Sequence, residues 1–319
     1  MNAEGEEVFV GIDVSKATLE VCTEARGKVQ RFGNDAEGIE ALCAQLHALA
    51  PALIVLEPTG GLELALMAEL AARGLPVVAV NPRQVRDFAK ASGQLAKTDQ
   101  LDAVVLREFG RVIRPALRAP KEELIGELDD LVTRRRQLVS MRAQETQRLY
   151  TASKVQRKSL TAHIAWLNKR IDDIESDLGK RLRSSELWRA KDDILLTIPG
   201  VGEITSRSML SRCPEIGTLS RHKIAKLIGV APLNRDSGKL RGQRHIWGGR
   251  ADMRSVLYMA TISAMSCNEK IKRFATRLKA AGKPPKVVIV ACMHKLLTIM
   301  NAMIKTATPW NPSQAEKNT

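Results

Sequence analysis

VFVGIDVSKATLEVCTEARGKVQRF, residues 8–32, decides the fold. Its first seven residues, VFVGIDV (8–14), form a short apolar run that reads as a buried strand. TLEVCTEA, 18–25, alternates apolar and polar residues as a second strand does. GKVQRF, 27–32, continues as a third strand after a glycine turn. Connections this short join neighbours, so the three predict an antiparallel meander.

Outward from the meander the period changes. Residues 35–49 read as a helix with Asp35 as its cap. ALIVLEP, 52–58, is a short apolar strand ended by Pro58, and a helix follows to Arg73 with Gly74 as its stop. LPVVAVNP, 75–82, is a further strand, and helical stretches run on to about Arg111. Three antiparallel strands followed by alternating helix and strand predict a mixed sheet with helices packed on it. That order is the one associated with ribonuclease-H-like folds.

Residues 121–185 differ. Leu160, Ile164, Leu167, Ile171, Ile174 and Leu178 are spaced 4, 3, 4, 3, 4, a heptad seam. Upstream, Leu124, Leu128, Leu131 and Leu138 keep the same phase, and the polar TASKVQRKS, 151–159, reads as a turn between them. Two long helices folded back as a coiled-coil hairpin would serve as a dimerisation arm or spacer, or as ordinary two-helix packing. From 192 onward the chain reads as all-helical and basic. Ile198-Pro199-Gly200-Val201-Gly202 lies between two helices as the hairpin of a helix-hairpin-helix element. The backbone N–H groups of such a turn suit a DNA phosphate, through Pro199, Gly200 and Gly202. The plainer reading is a packing corner. The expected domains are 1–118, 119–190 and 191–319.

Composition narrows the partners. The chain has 319 residues, a net charge of +15 and a pI near 9.8. That balance points to a polyanion, nucleic acid first and an anionic membrane surface second. Aromatic residues make up only 3%, which argues against a base-stacking platform. Charge is uneven: residues 1–118 hold 13 Lys/Arg against 16 Asp/Glu, whereas residues 203–286 hold 18 against 5. The five cysteines (Cys22, Cys43, Cys213, Cys267 and Cys292) include no Cys-x-x-Cys pair, which fits a reducing compartment and excludes a zinc ribbon. No signal peptide and no uninterrupted apolar run of about 18 residues is evident, so no membrane span is expected.

Two constellations could carry chemistry. Asp13 ends the first strand and Glu57 the fourth, which are neighbours in a ribonuclease-H-like sheet. In KTDQLDA, Asp99 and Asp102 are three apart and share one helix face. An acidic helix start is the plain reading of that pair. Four carboxylates converging at a strand edge would instead suit hard divalent ions for phosphoryl displacement. The second constellation is NRDSGKLRGQRH, 234–245, where Ser237 lies in a polar loop among Arg235, Lys239, Arg241 and Arg244. Guanidinium groups there would hold a phosphate for attack by the serine, or the loop is a Ser-Gly turn that only binds phosphate. Ser255, in a helical stretch, is a weaker candidate. The basic RFATRLKAAGKPPK, 273–286, reads as a solvated phosphate-contacting face.

GIDVSK, LEPTGG, KTDQLDA, the heptad middle, IPGVG and DSGKLRG occur here in that order. Together they resemble the insertion-sequence 110 family of transposases, related to the Piv/MooV DNA invertases. The resemblance implies a RuvC-like N-terminal domain whose DEDD quartet is Asp13, Glu57, Asp99 and Asp102, binding Mg²⁺. It implies that Ser237 attacks DNA and forms a phosphoserine link, in a composite site between protomers joined through the coiled coil as a dimer or tetramer. It implies a structured guide, the bridge RNA, that pairs with donor and target DNA, and a bacterial, cytoplasmic, nucleoid-associated protein. Three rivals stand beside it. One is a metal-dependent, structure-specific nuclease like a Holliday-junction resolvase, which would leave Ser237 silent. The others are a site-specific invertase and a non-enzymatic nucleic-acid scaffold.

Overall fold

β1 (Phe9–Val14), β2 (Thr18–Cys22) and β3 (Val29–Gly33) pair antiparallel as the meander requires. The chain then crosses over through α1 (Ala36–Leu49) to β4 (Leu53–Leu56), which runs parallel to β1. A second crossover, α2 (Leu64–Ala72), leads to β5 (Val77–Ala79), parallel to β4. The sheet order is β3-β2-β1-β4-β5, which keeps the expected meander and sets β1 beside β4. α3 (Pro82–Ala91) and α4 (Asp99–Ile113) complete this part. The computed structural model describes residues 7–24, 28–94, 99–117, 123–234, 236–237, 240–242 and 244–312. The chain divides into two compact units, Met1–Pro120 and Lys121–Thr319.

Strand alternation sorts the core of the first unit into two layers. Val10, Ile12 and Val14 face Leu42, Leu46, Leu66 and Leu70 of α1 and α2. Phe9, Val55 and Val78 face Val85 of α3 and Val105, Leu106 and Phe109 of α4. Both faces are covered, which is why β1 and β4 read as unbroken apolar runs. Local signals set the helix ends: Asp35 Oδ1 accepts from Gly38 N–H at 2.8 Å, and Asn81 Oδ1 accepts from Arg83 N–H at 2.9 Å.

Two glycines set the distance between α4 and the sheet. A methyl group on Gly11 of β1 would overlap the Ala103 carbonyl oxygen and the Arg107 backbone nitrogen of α4. A methyl group on Gly110 of α4 would stand 2.7 Å from Val55 Cγ2 of β4. The helix axis therefore lies nearer the strands than any other residue at these points would allow.

In the second unit, α5 (Glu123–Thr151) and α6 (Lys154–Ser184) fold back on each other through Ala152 and Ser153. Pairs across the hairpin run in antiparallel register: Arg181 with Glu127, Arg135 with Glu175 at 2.6 Å, and Arg142 with Asn168 at 3.0 Å. Leu128, Val132 and Leu138 are buried, as are Leu167, Ile171, Ile174 and Leu178. Leu160 and Ile164, nearer the turn, are half-buried. At 1.5 Å per residue each helix is roughly 45 Å long.

α7 (Glu186–Leu196), α8 (Glu203–Arg212) and α9 (Arg221–Ile228) follow. Four two-residue strands come next: β6 (Pro232–Leu233), β7 (Asp236–Ser237), β8 (Leu240–Arg241) and β9 (His245–Ile246). α10 (Ala251–Cys267), α11 (Glu269–Ala280) and α12 (Pro285–Thr306) complete the unit. The expectation of an all-helical C-terminal part is thus corrected. β6 pairs with β9 and β7 with β8, because the excursion between α9 and α10, residues 229–250, satisfies part of its backbone as a ladder.

By length and composition alone α12 is apolar enough to cross a membrane. His294, Lys295 and Asn301 interrupt its apolar run in the sequence without changing its mean character. Val288, Cys292, Met293, Leu296, Leu297 and Met300 of this helix are buried in the core of the unit, so its apolar face is used within the protein.

Buried polar groups tie the hairpin to the helices after it. Arg207 of α8 donates to the Glu175 carbonyl of α6 at 3.1 Å and pairs with Glu203 at 2.8 Å. Ser206 donates to Asp192 of α7, whose carboxyl is pushed up by burial despite that hydrogen bond and the nearby Arg207. An Arg212 guanidinium pairs with Asp129 of α5 at 2.9 Å and with Asp252 of α10.

The glycine contact yields a stability test. Gly11→Ala should lower the stability of the first unit by about 1–3 kcal/mol, the usual cost of overpacking. A urea midpoint equal to the wild type would contradict this account of the α4–sheet contact.

Candidate active site

Asp13 and Glu57 are neighbours by register. Ile12 pairs with Leu56 across the parallel β1–β4 ladder, and the two acids are the next residue on each strand. With a side-chain period of two, Asp13 shares the face of Gly11 and Glu57 the face of Val55. This is the face that α4 covers. Asp102 lies on α4 beside Ala103, the residue that abuts Gly11. Asp13, Glu57 and Asp102 are each half-buried and line one cleft of about 390 Å³. Asp99 begins α4, one turn before Asp102; its side chain lies outside the described residues, as do Lys97 and Thr98.

Among the described residues the cleft wall offers oxygen donors and no histidine or cysteine, and such a set fits a hard divalent cation. Among the described residues no three acidic, histidine or cysteine side chains are drawn into one coordination shell. Like-charged carboxylates favour separation without a cation between them.

Two residues that sequence reasoning missed hold the cleft rim. Asn34 Nδ2 donates to the Ser15 carbonyl at 2.8 Å and to the Leu62 carbonyl at 3.4 Å, bracketing the β1–β2 turn to the loop after β4. Glu63 is buried, and its Oε2 accepts from Thr59 N–H at 2.9 Å and Gly61 N–H at 3.0 Å. It folds the PTGGL loop back toward Glu57, whose carbonyl accepts from Thr59 Oγ1 at 3.1 Å. The signal for Glu63 was a buried acid just before an apolar helix, indistinguishable in sequence from a solvated helix start. Ser15 completes the β1–β2 turn: its Oγ accepts from Thr18 N–H at 2.9 Å, and its own N–H donates to the Thr18 carbonyl at 2.9 Å.

Ser237 lies in the second unit. It was read as part of a polar loop; within that segment it ends β7 and pairs with Leu240 of β8, and it is exposed. Asp236 pairs with Arg241 in the same ladder, and Arg244 is exposed. Arg235, Gly238 and Lys239, and the side chain of Arg241, lie outside the described residues. The base of the excursion is fixed. Arg250 N–H donates to the Leu227 carbonyl at 2.9 Å, and its guanidinium binds both oxygens of Glu215 at 2.7 and 2.8 Å. Arg254 donates to the Gly248 carbonyl at 2.7 Å. Ser255 sits exposed on α10, its Oγ donating to the Ala251 carbonyl at 3.2 Å. The four buried cysteines are poor nucleophiles: burial pushes the Cys213 thiol up to about 12, and Cys22, Cys43 and Cys292 shift the same way for the same reason.

The IPGVG turn joins α7 to α8. Gly200, at φ 94°, packs against Ala264 of α10, and the Pro199 carbonyl accepts from Asn268 Nδ2 at 3.3 Å. Pro199 and Gly200 are half-buried in this corner, whereas Gly202 is exposed at the start of α8.

Comparison with known proteins agrees with the order of these features. Residues 10–152 match the DEDD transposase family of insertion sequence IS110, and residues 192–276 match the family described as transposase IS116/IS110/IS902. The pilin gene-inverting protein of Moraxella bovis is 28% identical over 321 residues, which cover 96% of this chain and 98% of that protein. The pilin gene-inverting protein of Moraxella lacunata shows the same identity and coverage.

Glu63 offers a test of the rim. Glu63→Ala should weaken divalent-cation affinity about tenfold, the low end of what outer-shell partners contribute, and leave the far-ultraviolet circular dichroism unchanged. Calorimetric titration that gives wild-type affinity would show that the loop holds its shape without this carboxylate.

Proposed function

Because the chain belongs to the IS110 family of transposases, enzymes of DNA recombination, we propose that it cuts and rejoins DNA with a Mg²⁺-binding acid site and a serine nucleophile. The observation that carries the reading is the convergence of Asp13, Glu57 and Asp102 on one cleft from two adjacent strands and the helix pressed on Gly11. Asp99, one turn earlier on α4, is assigned as the fourth member. Mg²⁺ held by these oxygens supplies charge stabilisation for the attacking and leaving oxygens of a phosphoryl displacement.

Ser237 is assigned the attack. Its Oγ forms a bond to the scissile phosphorus, the bond from phosphorus to the deoxyribose oxygen breaks, and the serine proton is lost as the leaving oxygen gains one. Attack by a hydroxyl of another strand on the phosphoserine reverses these steps and rejoins the DNA. Exposure of Ser237 at the end of a two-residue strand supports the role, since a scissile phosphate must reach it. Arg235, Lys239, Arg241 and Arg244 are assigned to the phosphate, as fork-shaped or point-charge partners. The α7–α8 turn, through Pro199, Gly200 and the exposed Gly202, is assigned to a DNA backbone as a helix-hairpin-helix.

The α5–α6 hairpin is assigned as a coiled-coil arm that pairs protomers, so that acids and serine from different copies complete one site. The three domains proposed are 1–118 for metal chemistry, 119–190 for the arm and 191–319 for the serine and DNA. A bridge RNA that pairs with donor and target DNA supplies the sequence reading, consistent with a chain of few aromatic residues. Site-specific inversion is a second reading, favoured by two gene-inverting relatives that match over 96% of the chain. Inversion in the absence of any RNA would select it.

The covalent step has a direct readout. Protein incubated with Mg²⁺, the RNA flanking its gene and DNA carrying the joined flanks should give a protein–DNA adduct on a denaturing gel, absent with Ser237→Ala and with Asp13→Asn. Cleavage without an adduct, unchanged by Ser237→Ala, would replace this reading with a metal-only nuclease.

A further inference from the structure

The acid cleft holds two cations as well as its carboxylates. Lys16, at the apex of the β1–β2 turn, and Arg86, on α3, both line it with Asp13, Glu57 and Asp102. Lys16 is exposed and Arg86 half-buried. Among the described residues neither makes an ion pair, although carboxylates share the wall. Other arginines of the first unit do pair with glutamates: Arg31 with Glu20, Arg73 with Glu69, Arg107 with Glu108, and Arg114 with Glu7. The turn carrying Lys16 is held by Ser15, Thr18 and Asn34, so the ammonium stem starts from a fixed point. Arg86 is flanked by Val85 and Ala89, both buried against the sheet, which fixes the helix from which it extends.

Cations that share a cleft wall with carboxylates and make no ion pair among the described residues are placed for an anion brought by something else. We propose that Lys16 and Arg86 form a phosphodiester-binding subsite for the DNA strand that enters the acid cleft, occupied only when the carboxylates hold a divalent cation. This inference rests on the metal reading of Asp13, Glu57 and Asp102. Without metal the acids repel a phosphate; with metal their charge is offset, and the two cations complete a positive wall. Binding of metal and of DNA are then reciprocally coupled.

Coupling separates this subsite from the cationic surface assigned to DNA in the second unit, whose binding should not depend on metal. The probe is a labelled 20-nucleotide single-stranded DNA, its Kd measured with the full-length protein by fluorescence anisotropy in Ca²⁺ and in EDTA. Wild type should bind more tightly in Ca²⁺. The double variant Lys16→Ala, Arg86→Ala should bind about tenfold more weakly than wild type in Ca²⁺, and equally in EDTA. Its salt dependence in Ca²⁺ should be shallower by roughly 1.4 in log–log slope, about 0.7 for each lost phosphate contact. Lys16→Arg with Arg86→Lys should keep most of the Ca²⁺ effect.

Wild-type affinity in the double variant, or no Ca²⁺ effect in the wild type, would overturn the subsite. A Ca²⁺ effect seen with RNA of the same sequence and not with DNA would overturn it as a DNA site. Calorimetry of Asp13→Asn tells the two failures apart. Lost Mg²⁺ binding in that variant leaves the metal reading standing whatever the subsite result, whereas retained Mg²⁺ binding removes the metal reading and the subsite together.

Discussion

The close approach of α4 to the sheet is the constraint on which the rest of the first unit depends. A residue with any side chain at position 11 would push the helix outward through its own backbone at Ala103 and Arg107. Asp102 is the next residue to Ala103, so the same displacement would carry its carboxylate away from Asp13 and Glu57. Gly110 repeats the device one strand over, against Val55. Packing and chemistry are therefore one design: the glycines that let the core close also set how near three like charges come to each other. That proximity is electrostatically unfavourable unless a cation is present, which gives an oxygen-lined cleft a reason to bind one.

Around this centre the molecule spends polar groups on geometry. Glu63 is buried and accepts two backbone N–H groups; Asn34 bridges two loops through their carbonyls. Neither lines the cleft, yet each fixes a segment that does. The second unit follows the same logic on a larger scale. Arg207 and Arg212 are drawn into the interior, where they connect α8 to α5, α6 and α10. The Arg250 N–H joins the two ends of the excursion that carries Ser237 through the Leu227 carbonyl, and Arg254 holds its last residues through Gly248.

Much of this was legible in the sequence, for identifiable reasons. The meander and the two crossovers follow from apolar runs of strand length bounded by Gly74, Pro58 and Asp35, and the neighbourhood of Asp13 and Glu57 follows from strand order alone. The hairpin was legible because its heptad spacing is unbroken over Leu160–Leu178. What escaped is what depends on tertiary contact. Nothing local distinguishes Glu63 from a solvated acid, or Lys16 and Arg86 from surface cations. The ladder around Ser237 escaped because two-residue strands carry no periodicity. The burial of α12 was not legible either, because it depends on partners elsewhere in the chain.

The central claim is that Asp13, Glu57 and Asp102 act together on a divalent cation. Titration of Mn²⁺ into the full-length protein, followed by electron paramagnetic resonance, tests it most directly through Asp102→Asn, since Asp102 reaches the cleft only by way of α4. The account predicts saturable binding in the wild type, abolished or weakened at least tenfold in the variant, with the thermal unfolding temperature unchanged or raised as charge repulsion is relieved. Mn²⁺ binding of equal affinity in the two proteins would contradict it, and would reduce the three carboxylates to residues that merely share a wall.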